Sequence, residues 1–288
     1  MPESARAASA TIRALVQRAT VALAHLPTPR LDAEVLLGHT LGYSRAELIC
    51  ERDQLVDAVH YARFEELVAA RAAGRPIAQL RGTQEFWSLE LQITDAVLVP
   101  RSETELLVAL VLERSAPTAN LLIADLGTGS GAIALAIASE RPQALVLALE
   151  RSAAALRVAR RNAECCALGN VVFVQGNWLA ALGLQQFDFI VANPPYVADT
   201  DPVLMGAGLR CEPREALVAG ADGLAALSCI ADTAVAHLRP HGWLLLEHGA
   251  TQGAAVRRFL VEAGFTEIAT AVDLADLERV TYGRKQSA

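Results

Sequence analysis

The chain has 288 residues, 53% of them hydrophobic, enough for one large domain plus a small one. Its 25 basic and 32 acidic side chains give a formal charge of -7, so no basic surface is advertised for a nucleic-acid backbone, and nucleic acid is disfavoured as the main partner. The five cysteines form no Cys-x-x-Cys pair and no zinc spacing with histidine, which points to reduced thiols, no metal and a cytoplasmic setting; no apolar stretch reaches the length of a membrane span.

Residues 5–30 are rich in Ala and Arg, superficially like an organellar presequence, but Ile12, Leu15, Val16 and Ala19 fall at helical spacing and favour a packed first helix over 11–25. Helical patterns over 31–41, 44–51 and 57–73 continue a small helical domain, which Gly74-Arg75-Pro76 ends. Alternation from Phe86 to Ile93 predicts a β-hairpin at about 80–100. Beyond Ser102, strands are expected at 121–126, 144–150, 171–175 and 187–193, with helices at 131–139 and 153–167. A helix at 223–238, a strand at 243–247, a helix at 252–263 and two strands near 266–272 and 280–283 complete the chain, the last pair suiting an antiparallel edge. Such alternation indicates an α/β fold, a parallel sheet covered by helices on both faces. The expected divisions are a helical domain 1–78, a hairpin linker 79–101 and an α/β domain 102–288.

Two motifs carry chemistry. Asp125-Leu126-Gly127-Thr128-Gly129-Ser130-Gly131 follows a strand and opens a helix, where α/β folds bind ligands. Glu150 ends the next strand, about where an acid accepts hydrogen bonds from ribose hydroxyls. A tight turn needing positive φ is the alternative, and the strand context with Glu150 favours a nucleoside site. The Gly-x-Gly-x-Gly spacing is not the dinucleotide fingerprint, and no Gly-Lys-Ser/Thr ending is present to hold phosphates. The second motif, Asn193-Pro194-Pro195-Tyr196, cannot be ordinary strand or helix. An amide side chain, a rigid backbone carbonyl and an aromatic face at the tip of a strand suit a planar NH2 group, so the chemistry falls on an amide or amino nitrogen.

The Asp-x-Gly-x-Gly-x-Gly loop looks like the S-adenosyl-L-methionine loop of Rossmann-like methyltransferases, whose adenine site falls at Asn177 and Trp178. With Leu31-Asp32-Ala33-Glu34, Gln79-Leu80-Arg81-Gly82, Glu85-Phe86-Trp87, Pro100-Arg101-Ser102-Glu103-Thr104-Glu105, Glu212-Pro213-Arg214, Glu247-His248-Gly249 and Glu278-Arg279-Val280-Thr281, the chain resembles the HemK/PrmC family of release-factor glutamine methyltransferases. Glu150 and Asn177 stand where that family commonly has Asp. The resemblance implies a methyltransferase domain at 102–288, a docking domain for peptide-chain release factors at 1–78, and methyl transfer to the glutamine of their Gly-Gly-Gln loop. It implies cofactor binding by Gly127, Thr128, Gly129, Ser130, Gly131, Glu150, Asn177, Trp178 and Asn193. The Asn193 side-chain carbonyl and the Pro194 carbonyl are expected to accept the two N–H groups of the substrate amide, with Pro195, Tyr196 and Arg101 completing the substrate site.

Arg101 and Glu105 have a surface ion pair as their alternative, and His248 is read as structural. A ribosomal-protein glutamine methyltransferase, an adenine-N6 methyltransferase on DNA or RNA, and a catalytically dead binding module remain as alternatives. The single lysine, Lys285, and 5% aromatic content count against the nucleic-acid reading.

Overall fold

The computed structural model describes residues 10–183, 185–206 and 208–287, so residues 5–9 of the Ala- and Arg-rich stretch lie outside the described residues. Two compact units emerge, one running to Gly82 with the short stretch Gly206–Cys211, the other made of Thr83–Met205 and Glu212 onward.

The first unit contains β1 (Ala10–Thr11), α1 (Ile12–Ala22), α2 (Pro29–Leu41), α3 (Arg45–Cys50), β2 (Leu55–Val56), α4 (Ala58–Ala72) and α5 (Ile77–Arg81). Its helices begin where side chains satisfy free backbone N–H groups: Thr11 accepts from Ala14, Ser44 and Glu47 form a capping box, and Asp57 accepts from Val59 and His60. Pro29 opens α2 at a position whose N–H would be unpaired anyway. Ile12, Leu15, Leu36, Leu37 and Phe64 fill the core. The acids of the 31–37 segment are structural here. Asp32 pairs with Arg71 at 2.7 Å, and Glu34 is held between Arg30 and Arg45.

The second unit opens with β3 (Thr83–Phe86) and β4 (Leu89–Gln92), joined by Trp87 and Ser88, both at positive φ as a two-residue hairpin turn requires. The hairpin is shorter than the expected 80–100, because Ile77–Arg81 is helical and pairing stops at Gln92. Then come α6 (Glu105–Glu113), β5 (Leu122–Leu126), α7 (Ala132–Glu140), β6 (Leu145–Glu150), α8 (Ala153–Cys165), β7 (Val171–Gln175), β8 (Phe187–Ala192), α9 (Ala225–His237), β9 (Leu238–Glu247), α10 (Gly253–Glu262), β10 (Phe265–Val272) and β11 (Glu278–Lys285).

The seven strands β5 to β11 form one sheet in the order β10-β11-β9-β8-β5-β6-β7. Strands β5 to β9 run parallel, and β11 is antiparallel to both β9 and β10, as the sequence predicts for the closing pair. Successive residues serve opposite faces: Ile123 and Val191 pack with α6 and α7, while Ala124 and Ala192 pack with α9 and α10. Helix α6 was not expected, because Leu106 to Leu112 is apolar on every side and shows no period. Strand β9 starts five residues before the expected Trp243. Pro240-His241-Gly242 reads as a turn, but the pairing crosses it through a register shift beside Phe187 and Phe189.

Asn162 ties the hairpin to the rest of this unit. Fully buried on α8, it accepts from Gln92 N through Oδ1 and donates through Nδ2 to Gln92 O and Ser130 O. Asn162→Ala orphans these backbone groups together and is expected to destabilise the protein by about 2 kcal/mol, read as a lower midpoint in urea unfolding. Among the described residues no helix is long and apolar enough to cross a membrane.

Candidate active site

Register builds the site. Leu126 pairs with both Leu149 and Ala192, Ala192 pairs with Leu246, and Glu150 pairs with Gln175. The residues that follow, Gly127, Asn193, Glu247 and Gly176-Asn177, therefore emerge side by side at the carboxyl ends of parallel strands. The chain crosses from β5 to opposite sides of the sheet here, the switch point at which α/β sheets bind ligands.

The glycine loop is drawn onto β6, since Gly127 N and Thr128 N both donate to Leu149 O. Gly127 has φ +75°, and a Cβ there would lie 3.2 Å from Trp178 Cζ3, so only glycine lets loop and indole meet. Gly131, at φ +88°, starts α7 against Leu135 and Ala159 and has no room for a side chain. Beneath the loop, fully buried Asp125 accepts the Thr128 hydroxyl at 2.5 Å through Oδ2. Glu150 accepts from Gly129 N at 3.0 Å through Oε2 and from Ser152 N at 2.9 Å through Oε1. Each oxygen keeps a lone pair for a further donor such as a ribose hydroxyl.

At the end of β8, Asn193 Nδ2 donates to Thr104 Oγ1 at 3.1 Å, and the strand pairing sets the buried Glu247 beside the asparagine. Among the described residues no hydrogen bond engages Asn193 Oδ1, which remains available as an acceptor. The Tyr196 carbonyl accepts from Gln252 Nε2 at 2.9 Å, and the same side chain accepts Gly249 N through Oε1, which fixes the exit of the Asn-Pro-Pro-Tyr segment. Val197 then bridges to Val218.

These elements surround a cleft of about 990 Å³. Of the expected site residues it brings together Gly127, Gly129, Glu150, Asn177, Trp178, Asn193 and Pro195. Thr128, Ser130 and Gly131 stand behind the lining and build the loop: the first two are buried in hydrogen bonds, the third starts the helix. Pro194 is buried, and Tyr196 is half-buried with its phenol pushed up to about 12 by burial and by the charge of Glu247. Neither belongs to the cleft lining, but among the described residues no hydrogen bond engages the Pro194 carbonyl. Arg101 donates to buried Glu212 at 2.5 Å, whose other oxygen accepts Val99 N; Glu105 accepts Trp87 N at 2.8 Å. The far wall, from Pro213 to Ala216, was not assigned to the site from the sequence. His248 is fully buried between Gly249 O and Thr281 Oγ1, in keeping with a structural role.

A glycine turn flush against an indole, a carboxylate with unused lone pairs and a side-chain amide fit an adenosine-bearing group. In that fit Glu150 would hold the ribose, Trp178 would cover the adenine, and Gly127 and Gly129 would let the backbone approach.

Two buried carboxyls carry a pH signature. Burial pushes Asp125 up to about 7 despite the hydrogen bond from Thr128 and the nearby Ala134 N–H, with Glu150 adding to the rise; burial likewise pushes Glu247 up to about 7. Both keep their protons in the folded chain where the unfolded chain has lost them. Stability therefore falls as pH rises between about 4 and about 7, by up to about 1.4 kcal/mol per pH unit for each group. Urea midpoints measured across that window are expected to fall, and Asp125→Asn is expected to flatten the slope.

The chain matches two domain families and has relatives that align along most of its length. Residues 14–82 match the PrmC N-terminal domain, and residues 102–220 match the methyltransferase small domain. A release factor glutamine methyltransferase of Xylella fastidiosa is 53% identical over 255 residues, covering 88% of this chain and 93% of the relative. The Escherichia coli K12 protein of the same name is 43% identical over 257 residues, covering 89% and 92%. Among solved structures, a methyltransferase from Pyrococcus furiosus shares the fold at a TM-score of 0.53 and 16% identity, covering 80% of this chain and all of that one. With helical and methyltransferase segments both matched and relatives this similar over nearly the whole length, the chain belongs to the release factor glutamine methyltransferase family.

Proposed function

We propose that this protein transfers a methyl group from S-adenosyl-L-methionine to the side-chain amide nitrogen of the glutamine in the Gly-Gly-Gln loop of peptide-chain release factors. It works in the cytoplasm, and its helical segment, 1–78, serves as the docking domain for the protein substrate. The observation that carries the reading is Asn193: its NH2 is held by Thr104 beside the cofactor loop, and its oxygen is left for a donor.

When bound, S-adenosyl-L-methionine supplies an electrophilic sulfonium methyl. An amide nitrogen is a poor nucleophile because its lone pair is shared with its carbonyl, so the protein must supply position and polarisation. Asn193 Oδ1 and the Pro194 carbonyl each accept one N–H and aim the nitrogen lone pair along the line of attack. As the N–C bond forms and the C–S bond breaks, the nitrogen becomes acidic, and the two acceptors stabilise the charge developing on its N–H groups. The proton then leaves to solvent. Pro195 stiffens this segment, and Tyr196, protonated throughout the working range, packs behind it.

Incubation with labelled S-adenosyl-L-methionine and, separately, release factor, ribosomal proteins, DNA and RNA tests this directly. Label is expected on release factor. Label on nucleic acid or ribosomal protein, with none on release factor, overturns the substrate.

A further inference from the structure

Glu247 ends β9 beside Asn193, is 1% exposed, and has an Oε2 with no hydrogen bond among the described residues. A buried carboxyl is unfavourable unless something needs it. An asparagine amide is nearly symmetric in shape, so exchanging Oδ1 and Nδ2 changes little sterically and reverses what it offers a ligand. Only one orientation presents an acceptor to the cleft. Thr104 Oγ1 accepts Nδ2, but a hydroxyl donates as readily as it accepts and selects no orientation by itself.

The carboxylate supplies the missing asymmetry. Thr104 and Asn193 are the polar neighbours that favour the ionised form of the buried Glu247, and an ionised carboxylate only accepts. Offering nothing but acceptors, it favours a Thr104 hydroxyl that turns its O–H toward the carboxylate and keeps Oγ1 as the acceptor for Asn193, and it can face only the NH2 side of the amide. We propose that Glu247, acting with Thr104, is a positioning residue that locks the Asn193 amide with its oxygen toward the substrate. The inference rests on the reading of Asn193 Oδ1 as the acceptor for the substrate amide.

The lock is pH-dependent. Burial pushes Glu247 up to about 7, opposed by the polar neighbours Thr104 and Asn193 and by the charge of Arg279 on β11, and reinforced by Glu103; the Tyr196 phenol also faces it and keeps its proton. A protonated Glu247 gains an O–H that can serve a flipped Asn193, so the fraction of correctly aimed amide falls below that pH.

The test is methyl transfer to release factor from about pH 5.5 to about 8.5 with kcat, substrate KM and cofactor affinity measured separately. Wild-type kcat is expected to rise through about 7. Glu247→Gln is expected to lose about tenfold in kcat at high pH and to lose that rise, with KM and cofactor affinity within about threefold. Thr104→Val is expected to lose a similar factor, and Thr104→Ser to recover most of it. A Glu247→Gln enzyme with wild-type kcat, or one that keeps the rise, overturns the proposal. A second measurement needs no variant at Glu247: the side-chain amide resonances of Asn193 in the wild-type protein should titrate near pH 7, and resonances that do not move overturn it. Asn193→Ala separates the two levels. Wild-type turnover there removes the acceptor reading itself, whereas slow Asn193→Ala with unaltered Glu247→Gln removes only the positioning role.

Discussion

Replacing Asn193 by alanine is expected to lower kcat for methylation of release factor by about a thousandfold while changing cofactor affinity by less than about tenfold. The alanine removes the acceptor oxygen and leaves Thr104 and Glu247 without the group they hold. The lost interaction strengthens as the substrate N–H groups become acidic, so it belongs mainly to the transition state and shows in turnover more than in binding. Single-turnover kinetics with labelled methyl donor give the rate, and calorimetry with S-adenosylhomocysteine gives the affinity. A variant that turns over normally would show that the amide is held elsewhere.

Gly127→Val is the complementary experiment, with the loss in cofactor binding instead of chemistry. Valine must adopt φ +75°, which is strained for a β-branched residue, and its Cβ would sit 3.2 Å from the Trp178 ring before its methyl groups are counted. The indole has little room to retreat, because Trp178 is itself held at φ +46° and its neighbour Leu179 is buried. The loop must move away from Glu150, and calorimetry is expected to show cofactor affinity weakened by about a hundredfold. Unchanged affinity would mean that the loop does not border the cofactor.

What could be read from the sequence was what is local. The glycine loop and Asn-Pro-Pro-Tyr are written in residues whose backbone restrictions act within a few positions, and both fall at strand ends as expected. The alternation of strand and helix likewise follows from periodicity. Helix α6 escaped because a uniformly apolar run has no period, and the early start of β9 escaped because Pro240 and Gly242 read as a turn. The support of the site was hidden for a different reason. Thr104 and Asn193 are separated by 89 residues, and Asn162 reaches Gln92 across 70, so their partnerships exist only once the sheet sets its register. Glu247 falls in a segment that resembles the family, but nothing in its neighbours in sequence says that it lies next to Asn193. That follows from the pairing of Ala192 with Leu246.

The most direct test of the amide-holding site is a crystal structure with S-adenosylhomocysteine and a Gly-Gly-Gln peptide. The glutamine side-chain nitrogen is expected at about 3 Å from both Asn193 Oδ1 and the Pro194 carbonyl oxygen, facing the cofactor sulfur. A glutamine amide bound away from this segment, or an Asn193 presenting Nδ2 to it, would show that Asn193 Oδ1 is not the acceptor that holds the substrate.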